Sequence, residues 1–134
     1  MARQFTLGKK ERLKSRKQIE QLFNSGQRFV VPSFRVFYSF VPAASYKEAE
    51  TLQAGFSASS RNFRTAVNRN RIKRLAREAY RLQKNLLKDQ LQEQNRKLNV
   101  FFIYTGKDLP GYNEVYESIG LALARLIDIN KKRV

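Results

Sequence analysis

Residues 66–94 read AVNRNRIKRLAREAYRLQKNLLKDQLQEQ, a run without Gly or Pro. Its apolar residues Ile72, Leu75, Ala76, Ala79, Leu82 and Leu86 recur at the spacing of one helix face. At 100° per residue they fall within about 60° of one direction. The spacing predicts one long helix over 66–94. The segment that follows, 98–105, is apolar on both faces, as expected of an interior strand covered on each side. A strand pattern also precedes the helix at 52–58, where Leu52, Ala54, Phe56 and Ala58 alternate with smaller or polar residues. A strand, a long helix and a strand in succession make a crossover between two strands of one sheet.

Outward from this unit, residues 29–41 are rich in Val, Phe and Tyr. Phe34, Val36, Tyr38 and Phe40 share one face, with Arg35, Phe37 and Ser39 on the other, so the segment reads as a strand. Turn formers in 42–50 would join it to 52–58 as a long-looped hairpin. Ser15 followed by Gln18 has the form of a capping box, and Ile19, Leu22 and Phe23 give a short helix over 16–24 that stops at Gly26. Gly106, Pro110 and Gly111 break the chain after the last strand. Asn113 is placed to cap a final helix with Val115, Ile119, Ala122, Leu123 and Leu126 toward the core and Lys131, Lys132 and Arg133 at its negative end. The fold class is therefore α+β, an α/β sandwich with a small mixed sheet of about four strands and three helices in the order αββαβα. Residues 1–134 are expected to form a single domain, with a basic N-terminal arm over about 1–14.

Charge narrows the partners. The chain carries 27 Lys and Arg against 11 Asp and Glu, a formal charge of +16, and such self-repulsion is relieved by a polyanion. A membrane surface is disfavoured, since no apolar run approaches a spanning length and the N-terminus lacks the apolar core of a signal peptide. The chain reads as cytoplasmic. It has no Cys and no His, which removes disulfides, most structural zinc geometries and the commonest general base. An autonomous nuclease would need convergent carboxylates for metal ions or an imidazole base, and neither is visible. Glu114 and Glu117 read as acids at a helix N-terminus.

The cations are ordered. On the helical wheel Lys73, Lys84, Arg77, Asn70, Lys88, Arg81 and Arg74 fall across roughly 100° opposite the apolar side, with Arg69 and Arg71 flanking. Ten Lys and Arg occur between Arg61 and Lys88, and Glu78 alone interrupts them. A solvated helix face would intersperse acids for i,i+4 pairing, so the unopposed stripe points to nucleic-acid phosphates. Arginine predominates, and its planar fork grips phosphate oxygens in pairs. Asn70 offers a neutral group to a phosphate, a base edge or a hydrated metal ion, or else caps the helix. Most of the aromatics Phe5, Phe23, Phe34, Phe37, Tyr38 and Phe40 must be core, while one side of the first strand can line a groove in which unpaired bases stack.

The run from Ala66 to Tyr80, with Arg69-Asn70-Arg71 followed by Lys73-Arg74 and Arg77, resembles the signature of the bacterial ribonuclease P protein family. Gly55-Phe56-Ser57-Ala58-Ser59, Arg12-Leu13-Lys14 through Phe23, and residues 98–107 extend the likeness over nearly the whole chain. The resemblance implies a subunit that joins a catalytic RNA to remove the 5′ leader of precursor tRNA. The RNA and its Mg²⁺ ions would perform the hydrolysis, and no protein side chain would be catalytic. It implies contacts to the catalytic RNA from Arg69, Asn70, Arg71, Lys73, Arg74, Arg77, Arg81 and Arg61. Ile19, Phe23, Tyr38, Phe5 and Arg35 would bind the leader. Asn70 is the one side chain offered to a metal ion, and neither DNA nor a membrane is an expected partner. The family also makes its strand–helix–strand crossover left-handed, against the general rule. The chain departs from the family at Ser60-Arg61 and Gly106-Lys107, where two adjacent basic residues are common, and at Ile19, where an aromatic is frequent. A ribosomal or RNA-chaperone protein is the alternative that composition leaves open.

Overall fold

The computed structural model describes residues 11–41 and 51–132. Its elements run α1 (Arg16–Ser25), β1 (Gln27–Val31), β2 (Phe34–Val41), β3 (Leu52–Ala58), α2 (Ala66–Gln83), α3 (Asn85–Glu93), β4 (Lys97–Tyr104) and α4 (Tyr112–Lys132). One half of the capping box expected at the start of α1 forms, the Gln18 amide donating to Ser15 Oγ at 3.3 Å.

The strand expected over 29–41 is two strands. Pro32 and Ser33 alone make the turn between them, Ser33 taking a φ of 70°, a region that few non-glycine residues enter. The Thr105 amide donates to the Ser33 carbonyl at 2.9 Å and so anchors the turn. The expected hairpin between 29–41 and 52–58 does not form either. The sheet order is β1-β2-β4-β3, and β4 inserts between β2 and β3, antiparallel to the first and parallel to the second. β4 is therefore the interior strand that its two apolar faces require, buried at all but one position.

The long helix also divides. α2 ends at Gln83, Lys84 sits at the junction, and α3 follows, so there are four helices where three were expected. α3 closes on Asn95 at a φ of 52°, with the Arg96 amide donating to the Leu91 carbonyl at 3.0 Å and Asn95 to Gln92 at 3.2 Å, a Schellman ending. In α4 the first turn begins one residue ahead of the expected cap. The Val115 amide donates to the Gly111 carbonyl, and Asn113 lies inside the helix.

Two apolar layers flank the sheet. On one face Phe34, Val36, Tyr38, Leu52, Val100 and Phe102 pack under Ile72, Ala76, Ala79 and Tyr80 of α2, Leu87 and Leu91 of α3, and Ile119, Leu123 and Leu126 of α4. On the other, Phe37 and Phe101 pack with Leu13 and with Leu22 of α1. α1 covers only part of that second face, and what it leaves open forms the site. No helix of the described residues is long and apolar enough to cross a membrane.

Candidate nucleic-acid interface

β2 and β4 send alternate side chains to the half-covered face, and their register sets Arg35 beside Ile103 and Phe37 beside Phe101. Across β4, Phe101 faces Gly55 of β3. A Cβ on Gly55 would stand 2.5 Å from the Phe101 ring, so the missing side chain lets that ring lie over β3. Phe23 projects from α1 onto this floor, its ring centroid 4.9 Å from Phe37 and 5.2 Å from Phe101. It remains 40% exposed, an aromatic edge that the fold holds rigid but leaves to solvent. Ile19 packs against the same cluster.

Beyond α1 the floor opens into a groove of about 910 Å³. Arg35 and Ile103 lie on its floor, Arg61 and Lys107 come from the loops after β3 and β4, and Arg69 and Lys73 come from the start of α2. Five cations thus meet the hydroxyls of Ser57, Ser59, Ser60 and Thr105 in one trough. Ile103 belongs to both the groove and the phenyl cluster, so the two join without a barrier.

α2 starts at Thr65, whose Oγ1 accepts from the Asn68 amide at 3.4 Å. The capping alternative for Asn70 is thereby excluded, and Asn70 stands exposed in the second turn. Arg69 has a local task. Its Nη1 donates to the carbonyls of Phe63 at 2.7 Å and Arg64 at 2.9 Å, fixing the turn that leads into the helix. Asn70, Arg71 and Arg74 are exposed, and Lys73 and Arg77 are half-buried. The Arg77 Nε donates to the Lys73 carbonyl at 3.4 Å. Burial lowers the Arg77 pKa, with the charges of Arg12 and Arg74 adding to it. Among the described residues no carboxylate lies within ion-pair reach of Asn70's cationic neighbours Arg71, Lys73, Arg74 or Arg77.

The unopposed stripe is shorter than the helical wheel predicts. Lys84 turns inward, 2% exposed, and it and Lys88 donate to the Glu11 carboxylate at 2.6 and 2.7 Å. Arg81 is held by Glu78, with its Nε 3.0 Å from Oε2, and that contact keeps the Glu78 carboxyl below its ordinary value. These three cations are paired with acids and so leave the unopposed stripe.

Tyr38 also departs from its expected place. It lies on the opposite face from Phe23, 7% exposed, packed on Phe29 and donating its hydroxyl to Gln27 Oε1 at 2.7 Å. Its neighbour Phe37 takes the position in the cleft, as strand alternation requires of the residue that shares a face with Arg35. Phe5 lies outside the described residues. Sequence reasoning missed Phe37, Phe101 and Ile103 as cleft residues. The signal was present in the alternation of β2, which already set Phe37 with Arg35.

The family model described as Ribonuclease P matches residues 7–125. The chain is 39% identical over 122 residues to a ribonuclease P protein component of Porphyromonas gingivalis, covering 91% of this chain and 87% of that protein. A ribonuclease P protein component of Borrelia hermsii is 33% identical over 103 residues, 77% of this chain and 80% of that one. Among solved structures, the ribonuclease P protein of Staphylococcus aureus superposes with a TM-score of 0.62 at 19% identity, over 87% of this chain and 94% of that one. A mutant of the S. aureus protein described as defective in mRNA degradation activity superposes at 0.59 and 21% identity, over 90% and 88%.

Proposed function

The chain belongs to the ribonuclease P protein family, and we propose that it serves as the protein subunit of that ribonucleoprotein, binding a catalytic RNA and the 5′ leader of precursor tRNA. The observation that carries this reading is the joining of the phenyl cleft to the cationic groove through Ile103 on one face of the sheet. A single-stranded nucleic acid needs both features, an aromatic edge for its bases and a basic track for its phosphates. In this reading the leader enters along Phe23, whose ring Phe37 and Phe101 support from beneath, and runs past Arg35 toward Arg61 and Lys107. Arg61, expected among the contacts to the catalytic RNA, is thereby reassigned to the leader path. Asn70, Arg71, Lys73, Arg74 and Arg77 face the catalytic RNA, and Arg69 sets the helix start while lining the groove.

The chemistry belongs to the RNA. Mg²⁺ bound by the RNA would activate water and stabilise the leaving oxygen. On the protein, the exposed Asn70 amide is the group offered to a hydrated ion, and among the described residues no group of three carboxylates converges. The protein's part is electrostatic: two folded RNAs repel, and a cationic surface touching both lowers that cost while releasing counterions.

The test is cleavage of precursor tRNA by a bacterial ribonuclease P RNA over a Mg²⁺ series, with and without this protein. The protein should lower the Mg²⁺ needed for leader removal and should cleave nothing alone. Absence of stimulation at every Mg²⁺ concentration would return the chain to the ribosomal or RNA-chaperone class.

A further inference from the structure

We propose that Arg12, Arg74 and Arg77 form a phosphodiester-binding site for the RNA partner, and that Glu11 is the positioning residue that builds it. The inference rests on the reading of the chain as an RNA-binding subunit.

The segment at 11–13 is pinned from two sides. On the helical side the Glu11 carboxylate, 6% exposed, accepts from Lys84 Nζ at 2.6 Å and Lys88 Nζ at 2.7 Å, at the junction of α2 and α3. On the sheet side Arg12 forms a parallel bridge with Ala54 of β3, and the Leu13 amide donates to the Ala54 carbonyl at 2.9 Å. Leu13 is buried with Phe101 and Leu22. Lys84 lies two helical turns beyond Arg77 on the same side of α2, so the Glu11 anchor sets Arg12 beside the arginine stripe. Burial lowers the Arg77 pKa, and the charges of Arg12 and Arg74 lower it further.

Three guanidinium groups held together repel one another unless an anion lies among them. Arg12 Nε is buried without a hydrogen-bond partner, and among the described residues no carboxylate pairs with Arg12, Arg74 or Arg77. Glu11 is adjacent in sequence, yet both its oxygens are engaged by lysines. The fold thus spends its nearby acid on Lys84 and Lys88 and leaves the arginines open. Planar guanidinium forks grip phosphate oxygens in pairs. A buried ion triad is a weak source of stability compared with apolar packing, and setting the register of a segment is its better-attested use.

The sign of one substitution separates this account from bulk electrostatics. Glu11→Gln removes a negative charge, so charge alone predicts tighter RNA binding, whereas loss of the anchor predicts weaker binding. Affinity of the full chain for a bacterial ribonuclease P RNA is measured over a KCl series. The chains compared are wild type, E11Q, R12A, the double variant E11Q/R12A, and K131A as a one-charge control at the far end of α4. R12A should weaken binding roughly tenfold beyond K131A, the scale of one charge-assisted contact. Its log–log salt slope should lie nearer zero by about 0.7 to 0.9. E11Q should also weaken binding, and the double variant should bind like R12A alone. Circular dichroism of the free proteins monitors folding, and R12A, which leaves Glu11 and the lysines intact, carries the test if E11Q does not fold. Tighter binding by E11Q, or an R12A slope and affinity equal to those of K131A, overturns the site while leaving the family reading in place. A wild-type chain that binds the RNA with no salt dependence overturns both.

Discussion

Phe37 and Tyr38 are consecutive in β2 and serve opposite faces of the sheet, Phe37 meeting Phe23 at 4.9 Å and Tyr38 bonding Gln27 within the helix-covered core. Chemical similarity makes them interchangeable to a sequence reader, but the two-residue period does not. Phe23, 40% exposed, lies over Phe37 and Phe101, which are buried beneath it, so Phe23→Ala should weaken binding of a leader-bearing precursor by roughly 1–3 kcal/mol relative to mature tRNA, the scale of one base–aromatic contact. Tyr38→Phe, which keeps a ring buried on the other face, should leave that difference unchanged. Binding of the two tRNAs to the reconstituted complex measures it, and equal losses on both substrates for Phe23→Ala would argue against a leader cleft.

Arg61 and Lys107 reach the groove from separate loops and stand among hydroxyls rather than acids. Each alanine substitution there should reduce the salt slope of leader binding by about 0.7, the single-strand value per phosphate engaged. If both residues track the same strand, their combined loss should be near the sum. A slope unchanged in the double variant would place the leader elsewhere.

The parts of this architecture written in local sequence were legible. Ser15 and Gln18 gave the start of α1, the two apolar faces of 98–105 gave an interior strand, and 3.6-residue spacing gave the core side of α4 and that of α2 as far as Ala79. Leu82 and Leu86, expected on the same side, are exposed, because the helix divides at Lys84 and α3 turns Leu87 and Leu91 inward instead. Periodicity assigns faces, not neighbours, so nothing in 29–41 or 52–58 revealed that β4 lies between them. Pro32-Ser33 closes its turn with a serine at positive φ, where Gly or Asn would have announced it. The helical wheel carried Lys84 and Lys88 onto the cationic stripe because it continues smoothly through the junction. Their true partner, Glu11, is 73 residues from Lys84 in sequence. The unpaired arginines of α2 were legible for the opposite reason, since what marks them is the local absence of acids.

Asn130 joins the ends of α3 and α4. Its Oδ1 accepts from Arg96 Nη1 at 2.9 Å and its Nδ2 donates to Gln94 Oε1 at 2.7 Å, in a side chain with no solvent exposure. Asn130→Ala leaves a buried amide oxygen without its donor and should cost about 1–3 kcal/mol. Urea unfolding reads the loss as a lower midpoint at constant slope. RNA affinity of the folded fraction should not change, because the network lies away from both the groove and the arginines of α2.

Tyr80 presents the opposite case, a hydroxyl that the core buries without a partner. Its ring packs on Phe56 and Phe102, so the aromatic body accounts for its place. Burial raises the phenol well above its ordinary value of 10.0, and the nearby Glu11 charge raises it further. The sign follows from proton linkage: above about pH 10 the unfolded chain releases this proton while the folded chain retains it, so stability falls as pH rises through that range. Tyr80→Phe removes both the unpaired hydroxyl and its titration. The variant should be more stable by about 1–3 kcal/mol at neutral pH, the desolvation penalty of one buried polar group. Its stability should also fall less steeply above pH 10. Some alkaline slope must persist, because the Tyr104 hydroxyl, which donates to the Asp108 carbonyl at 2.7 Å, is raised as well, by burial and then by Glu114 and Asp108. Urea midpoints at neutral and alkaline pH test both statements. A less stable Tyr80→Phe at neutral pH would mean that the hydroxyl is satisfied in solution.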